Sequence, residues 1–100
     1  MHTITAIIRV KAGCEAAMLA ALVDVTDYVR RSEPATLGFF VSQDATDPCV
    51  FTTYERFASE AAMDSHNGSA DVAKFYAIAK PLIEGDVTLI KSIEVSAKTV

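Results

Sequence analysis

The sequence lacks the marks of several protein classes. Among its 100 residues are no tryptophan, two histidines, two cysteines and four isolated glycines. No apolar run reaches the ~18 residues of a membrane span, and no glycine-rich loop for a phosphate is found. The histidines, His2 and His66, offer no cluster of metal ligands. A membrane segment, a nucleotide cofactor and a metal site are therefore not expected, and cofactor-free chemistry would fit.

Positive charge and cysteine are also scarce. The nine basic residues are scattered along the chain and the net charge is -4, whereas nucleic-acid-binding domains normally concentrate positive charge. Cys14 and Cys49 have no metal-like spacing and are expected to be reduced thiols. The N-terminus lacks a signal-peptide pattern, so a cytoplasmic location is expected. No nucleic-acid partner is predicted.

The length predicts one domain over residues 1–100, because so short a chain has no material for a second core. Alternating apolar residues predict strands, and apolar residues at three- and four-residue intervals predict helices. The predicted elements are a strand over 2–11, a helix over 14–32, strands over 36–43 and 49–57, a short helix over 59–66 continued by a second helical segment that ends at Pro81, and a strand over 87–95.

The order β-α-β-β-α-β indicates an α+β, ferredoxin-like fold with a four-stranded antiparallel sheet and its helices on one face. Phe39 and Phe40 are neighbours on the second strand, so each face of the sheet receives a large apolar side chain. The face without helices is then too apolar to be left in water. We expect a homodimer whose sheets pack face to face, with a pocket between helices and sheet in each subunit.

The stretch from Phe51 to His66 is the main candidate for chemistry. Tyr54, Glu55 and Arg56 follow one another on the third strand, and His66 comes one short helix later. A histidine has an ordinary pKa near ~6.5 and suits a general base. A neighbouring carboxylate can fix its tautomer and stabilise the imidazolium.

Several alternatives stay open for these residues. His66 is either a pocket base or an exposed residue at a helix end, and Glu55 is either a pocket carboxylate or half of an interface ion pair. Successive strand residues point to opposite faces, so Tyr54 and Glu55 cannot both line the pocket, and we prefer Glu55. Arg56, on the Tyr54 face, is expected at the dimer contact.

Motifs spread over nearly the whole chain carry a resemblance to a known family: Val10-Lys11-Ala12-Gly13, Ser32-Glu33-Pro34, Leu37-Gly38-Phe39, Asp47-Pro48, Tyr54-Glu55-Arg56-Phe57, His66 and Phe75. With these motifs the chain resembles the antibiotic biosynthesis monooxygenase family over nearly its whole length. Three departures accompany the resemblance: Ala12 stands where proline is common, Phe57 where tryptophan is common, and Asp71-Val72 where a second histidine and a phenylalanine are frequent. His66 is thereby the single histidine of the region that resembles the family's site.

The resemblance implies a dimeric α+β barrel that binds a small, flat quinol- or polyphenol-like molecule and oxygenates it with molecular oxygen, without flavin, haem or metal. His66 would be the general base and Glu55 its partner or a second polar anchor. Tyr54 or Tyr76 would donate a hydrogen bond to a substrate oxygen. The residues expected to form the apolar wall of the pocket are Phe39, Phe51, Met63 and Phe75, beside Tyr76.

Two other functions remain open at this point. An isomerase or tautomerase of a small oxygenated metabolite would use the same base without oxygen. A non-catalytic dimeric ligand-binding or stress-response module would bind an aromatic molecule without turnover. One scaffold can host all three activities, so the fold does not decide among them.

Overall fold

Four strands and three helices make up the chain in a computed structural model that describes all 100 residues. Their order confirms the predicted β-α-β-β-α-β arrangement. No helix combines the length and apolar character needed to cross a lipid bilayer. The elements are β1 (His2–Arg9), α1 (Glu15–Ser32), β2 (Thr36–Gln43), β3 (Val50–Phe57), α2 (Glu60–Asn67), α3 (Ala70–Ala79), a short 3-10 turn (Lys80–Leu82) and β4 (Thr88–Ile93).

The strands form one antiparallel sheet in the order β2-β3-β1-β4. β1 and β3 lie at the centre, and β2 and β4 are the edges. Ile4 of β1 and Phe39 of β2 are both register partners of Glu55 of β3. Because register partners share a face, these three side chains line up across the middle of the sheet.

The helices cover this face and bury it in two apolar clusters. Ile8, Phe51 and Leu22 belong to the first cluster, beneath α1. Ile4, Phe57 and Met63 form the second, beneath α2. Between Phe51 and Phe57, the same face of β3 carries the buried polar residues Thr53 and Glu55. A polar site is therefore enclosed between two apolar cores.

The opposite face of the sheet has no helix over it. Ile7, Phe40 and Ile90 are among its exposed side chains, and the ring of Phe40 stacks on Tyr54 with 6.4 Å between centroids. Arg56 forms a two-point ion pair with Glu94, at 2.9 and 3.0 Å. We call this surface the open face.

A bulge in β2 changes one predicted position. The alternation predicts Leu37 on the face of Phe39, but the register shifts between Thr36 and Gly38, so Leu37 is out of step and largely exposed. A bulge inserts one residue that has no partner on the next strand. The prediction for Leu37 was wrong, whereas Phe39 and Phe40 point to opposite faces as predicted.

The helix that carries His66 starts at a side-chain cap, which gives a first testable prediction. Ser59 Oγ accepts a hydrogen bond from the Ala62 backbone N–H at 3.1 Å. Ser59→Ala should lower the free energy of unfolding by about 1 kcal/mol in urea denaturation, because the N–H loses its partner. Ser65→Ala, at an exposed position of the same helix, is the control and should stay within about 0.5 kcal/mol. Equal losses would contradict a capping role.

Candidate active site

Three titratable side chains from distant parts of the chain meet beneath α2. Glu33 directly follows α1, Glu55 lies on β3, and His66 lies in the last turn of α2. Nδ1 of His66 is hydrogen-bonded to Glu33 Oε1 at 2.7 Å, and Nε2 lies 3.3 Å from Glu55 Oε1. The imidazole is thus held between two carboxylates. We call these three residues the Glu-His-Glu cluster.

Local sequence explains why these side chains turn inward. His66 follows Met63 by three residues, a spacing that puts both on one helix face, and both are buried. Glu33 ends α1, with its N–H bonded to the Val29 carbonyl at 3.0 Å. Pro34 disfavours a helical conformation at the preceding residue. The chain therefore leaves the helix at Glu33, where the side chain can reach His66.

Two threonines orient the carboxylates. The Thr53 hydroxyl donates to Glu55 Oε2 at 2.8 Å, and the Thr36 hydroxyl donates to Glu33 Oε1 at 2.7 Å. Glu33 Oε2 is buried without a hydrogen-bond partner. A buried charged group is costly unless it is paired, so a positive charge on His66 would stabilise the cluster.

Aromatic rings seal the imidazole from water. The ring centroids of Phe39 and Phe57 lie 5.6 and 5.3 Å from that of His66, and the His66 side chain is only 5% exposed. Burial by itself lowers the pKa of His66, but its contacts with Glu55 and Glu33 outweigh burial, and the pKa is raised above its ordinary value. The physical cause is the pair of negative charges at the two ring nitrogens.

A small cavity of about 50 Å³ lies between the helices and the sheet, with Glu55 and His66 among its walls. The remaining walls are mostly apolar and include Phe39, Phe75 and Leu89. Burial and the nearby charge of Glu55 raise the pKa of Tyr76, so its hydroxyl stays a hydrogen-bond donor. The cavity is a mostly apolar chamber with one polar corner.

The cavity opens between α3 and β4. All six residues of β4 are exposed, so no helix covers this edge of the sheet. Tyr76 and Leu89, which line the cavity, are each about half exposed, and Asn67 stands beside them with an exposed amide. These three side chains form the mouth.

The structure brings together most, but not all, of the predicted site residues. His66, Glu55, Phe39, Phe75 and Tyr76 line one cavity. His66 is buried, so its interpretation as an exposed helix-end residue was wrong. Glu55 faces the cavity and not the open face, as preferred from strand alternation.

Three predicted residues lie elsewhere. Tyr54 points to the open face, where its hydroxyl donates to Glu94 at 3.1 Å, because alternation along β3 separates it from Glu55. Phe51 and Met63 are buried inside the two apolar clusters and do not line the cavity. Their faces were predicted correctly, but they pack too deeply to contact a ligand there.

Sequence reasoning missed Glu33 as a member of the site. It stands 33 residues before His66, and beside Pro34 it reads only as the end of a helix. Thr53, Asn67 and Leu89 were also missed. A carboxylate placed just after a helix, where cations are favoured, was the one local sign that Glu33 has a special partner.

The antibiotic biosynthesis monooxygenase family model matches residues 1–78. No curated protein matches the sequence.

Solved structures share the fold. A Caulobacter crescentus protein named for the same family has a TM-score of 0.89 at 21% identity, covering 95% of this chain and 90% of its own. A Deinococcus radiodurans protein, also named for the family, has a TM-score of 0.87 at 22% identity, with coverage of 100% and 98%. Rv0793 of Mycobacterium tuberculosis has a TM-score of 0.88 at 19% identity, covering 98% of this chain and 93% of its own.

Proposed function

The chain belongs to the antibiotic biosynthesis monooxygenase family, and from that premise we propose that it is a cofactor-independent monooxygenase. Its substrate would be a small quinol- or polyphenol-like aromatic molecule. The isomerase and the binding module are kept as outcomes of the test below.

One observation carries the proposal: the buried Glu55–His66 pair occupies the polar corner of an otherwise apolar cavity. Small-molecule sites are mostly apolar, with a few placed polar groups that orient the ligand. A phenolic ring would pack between Phe39 and Phe75 with its hydroxyl on the Glu55–His66 pair. The Tyr76 hydroxyl could donate to a second oxygen of the substrate.

The chemistry required of the protein is the removal of a proton. A quinol gives electrons to oxygen more readily as its anion, and the Glu55–His66 pair would take up the phenolic proton. In the balanced reaction a hydroquinone and O₂ give a hydroxyquinone and water: one oxygen atom bonds to a ring carbon and the other leaves as water. All four electrons come from the substrate. The mostly apolar cavity would stabilise the anion through hydrogen bonds donated by the newly protonated pair and by Tyr76.

The substrate needs more space than the cavity offers. The cavity measures about 50 Å³, whereas a cavity of about 150 Å³ can hold a benzene ring. Leu89 is about half exposed, so outward rotation of its side chain would enlarge the cavity while Tyr76 keeps its place beside the substrate. We therefore infer that the ring enters between α3 and β4.

Oxygen uptake tests the proposed function. The protein is mixed with a panel of benzo- and naphthohydroquinones, and oxygen consumption above autoxidation is followed together with product mass under ¹⁸O₂. We expect each product molecule to contain one ¹⁸O atom, and one molecule of water to form for each molecule of product. Conversion that continues without oxygen would select an isomerase, and tight binding without conversion would select a binding module. Either result would contradict the proposed monooxygenase activity.

We also propose that the open face is the interface of a homodimer. Exposed Ile7, Phe40 and Ile90 make this face apolar, and large apolar patches mark interaction sites. Arg56 is already paired with Glu94 of its own chain. A second copy could therefore cover the face without burying an unpaired charge.

Lysine substitutions at two isoleucines of similar exposure test the proposed dimer. Ile7 on the open face is 43% exposed, and Ile78 on α3 is 46% exposed. We expect light scattering to give the wild type twice the chain mass of 10.7 kDa. Ile7→Lys should shift it toward the monomer, because it buries a charge, and Ile78→Lys should not. A monomeric wild type, or equal effects of both variants, would contradict the proposed interface.

A further inference from the structure

The Glu-His-Glu cluster gives His66 an acceptor at both ring nitrogens. Glu33 Oε1 lies 2.7 Å from Nδ1 and Glu55 Oε1 lies 3.3 Å from Nε2. A neutral imidazole has one N–H and one lone pair. With both carboxylates ionised, the lone pair would face a carboxylate oxygen. An imidazolium donates at both positions and removes that repulsion.

The C-terminal ends of α1 and α2 also favour a positive charge on His66. His66 lies in the last turn of α2, and Glu33 caps the end of α1. Helix C-termini carry partial negative charge, which stabilises cations and destabilises carboxylates. Glu33 is thus placed where an anion needs a close cation, and its side chain is only 12% exposed.

No other cation serves Glu33. Arg30 pairs with the Asp27 carboxylate at 2.7 Å, and Arg31 donates to the Asp27 carbonyl at 3.2 Å. Of the two surface depressions beside Glu33, one is lined by serine, proline, alanine and threonine in addition to His66, and the other includes Arg30, which forms no ion pair with Glu33. On the cavity side, the only other titratable side chain is Tyr76 of α3. His66 is therefore the one cation within hydrogen-bonding reach of Glu33.

From this geometry we propose that His66 rests as an imidazolium between Glu33 and Glu55, and that the Glu55 carboxylate takes the substrate proton. Glu33 is then a positioning residue that keeps His66 charged. The assignment of the base rests on the proposed function, whereas the charge of His66 does not.

The proton transfer balances within the cluster. The phenolic O–H bond breaks and an O–H bond forms on Glu55. The charge of the cluster changes from −1 to 0, and the phenolate remains beside the imidazolium. Opposite charges attract strongly in a site that excludes water, so His66 stabilises the product of the transfer without itself accepting the proton.

Nitrogen-15 NMR of the histidine rings tests the charge of His66 without any substrate. In the wild type, both His66 ring nitrogens should remain protonated well above pH ~6.5, the ordinary histidine pKa. Glu33→Gln keeps an oxygen for Nδ1–H but removes the charge, so His66 should titrate at lower pH. His2, which bonds to neither carboxylate, is the internal reference. A wild-type ring with one unprotonated nitrogen at pH 7 would overturn the proposal, even if the variant does not fold.

The pH dependence of oxygen uptake tests the base. If Glu55 accepts the proton beside an imidazolium, kcat should fall as pH rises through the His66 titration seen by NMR. Glu33→Gln should move that fall to lower pH, and Glu33→Asp should partly restore it. A kcat that rises through the same titration would make neutral His66 the base and refute the assignment. If no quinol is oxidised, the proposed function fails, and NMR still decides the charge of His66.

Discussion

Glu55→Gln is expected to lower kcat for quinol oxidation by about 10²- to 10⁴-fold, the usual contribution of a general base. Glutamine has nearly the same shape, and its oxygen can still accept the Thr53 hydroxyl. Its amide cannot take a proton, so substrate deprotonation loses its acceptor. Substrate binding depends mainly on the apolar walls, so KM should change much less than kcat. Steady-state oxygen consumption measures both constants.

The neighbouring residue supplies the control for this result. Tyr54 lies on the same strand but on the open face, so Tyr54→Phe should leave kcat within about twofold, since substitutions away from a site usually change free energies by no more than about 0.5 kcal/mol. Comparable losses in the two variants would mean that both act through the stability of the sheet. A Glu55→Gln variant with full activity would remove Glu55 from the mechanism.

His66→Ala is expected to lower the free energy of unfolding by about 3–5 kcal/mol near pH 6.5, as breaking a buried ion pair does. The variant leaves the carboxylates of Glu33 and Glu55 buried and without their common cation. It also removes a side chain packed between two phenylalanines. Urea unfolding followed by circular dichroism measures the loss. Asp64→Ala, an exposed change on the same helix, should stay within about 0.5 kcal/mol.

The stability loss caused by His66→Ala should depend on pH in a definite direction. Folding raises the pKa of His66, because its two carboxylate contacts outweigh burial. The resulting stability is fully present below the unfolded pKa of ~6.5 and is lost as pH rises through the folded pKa. The difference in the free energy of unfolding between wild type and His66→Ala should therefore narrow above pH ~6.5. A difference that is constant from acid to alkaline pH would show that lost packing, not charge, causes it.

The fold was predictable because its strands and helices depend on local patterns. Predicted ends agree with the observed elements within two residues, from β1 (His2–Arg9) to β4 (Thr88–Ile93). Alternation correctly separated Phe39 from Phe40 and Glu55 from Tyr54. It failed at Leu37, because a bulge interrupts the period of two without an obvious sign in the residues around it.

The candidate site was predictable only in part, since a pattern assigns a face but not a depth or a distant partner. Phe51 and Met63 share the face of the site yet lie too deep to line the cavity. Glu33 approaches His66 only because α1 and α2 end side by side in the fold. Its role required the three-dimensional arrangement.

The ion pair between Arg56 and Glu94 bears on the specificity of the dimer interface proposed for the open face. Both charges are satisfied within one chain, so any protein seated there meets a nearly neutral surface. Association should then change little with ionic strength, because few unbalanced charges remain to be screened. Discrimination against related sheets would come from steric fit around Ile7 and Phe40, and not from long-range attraction.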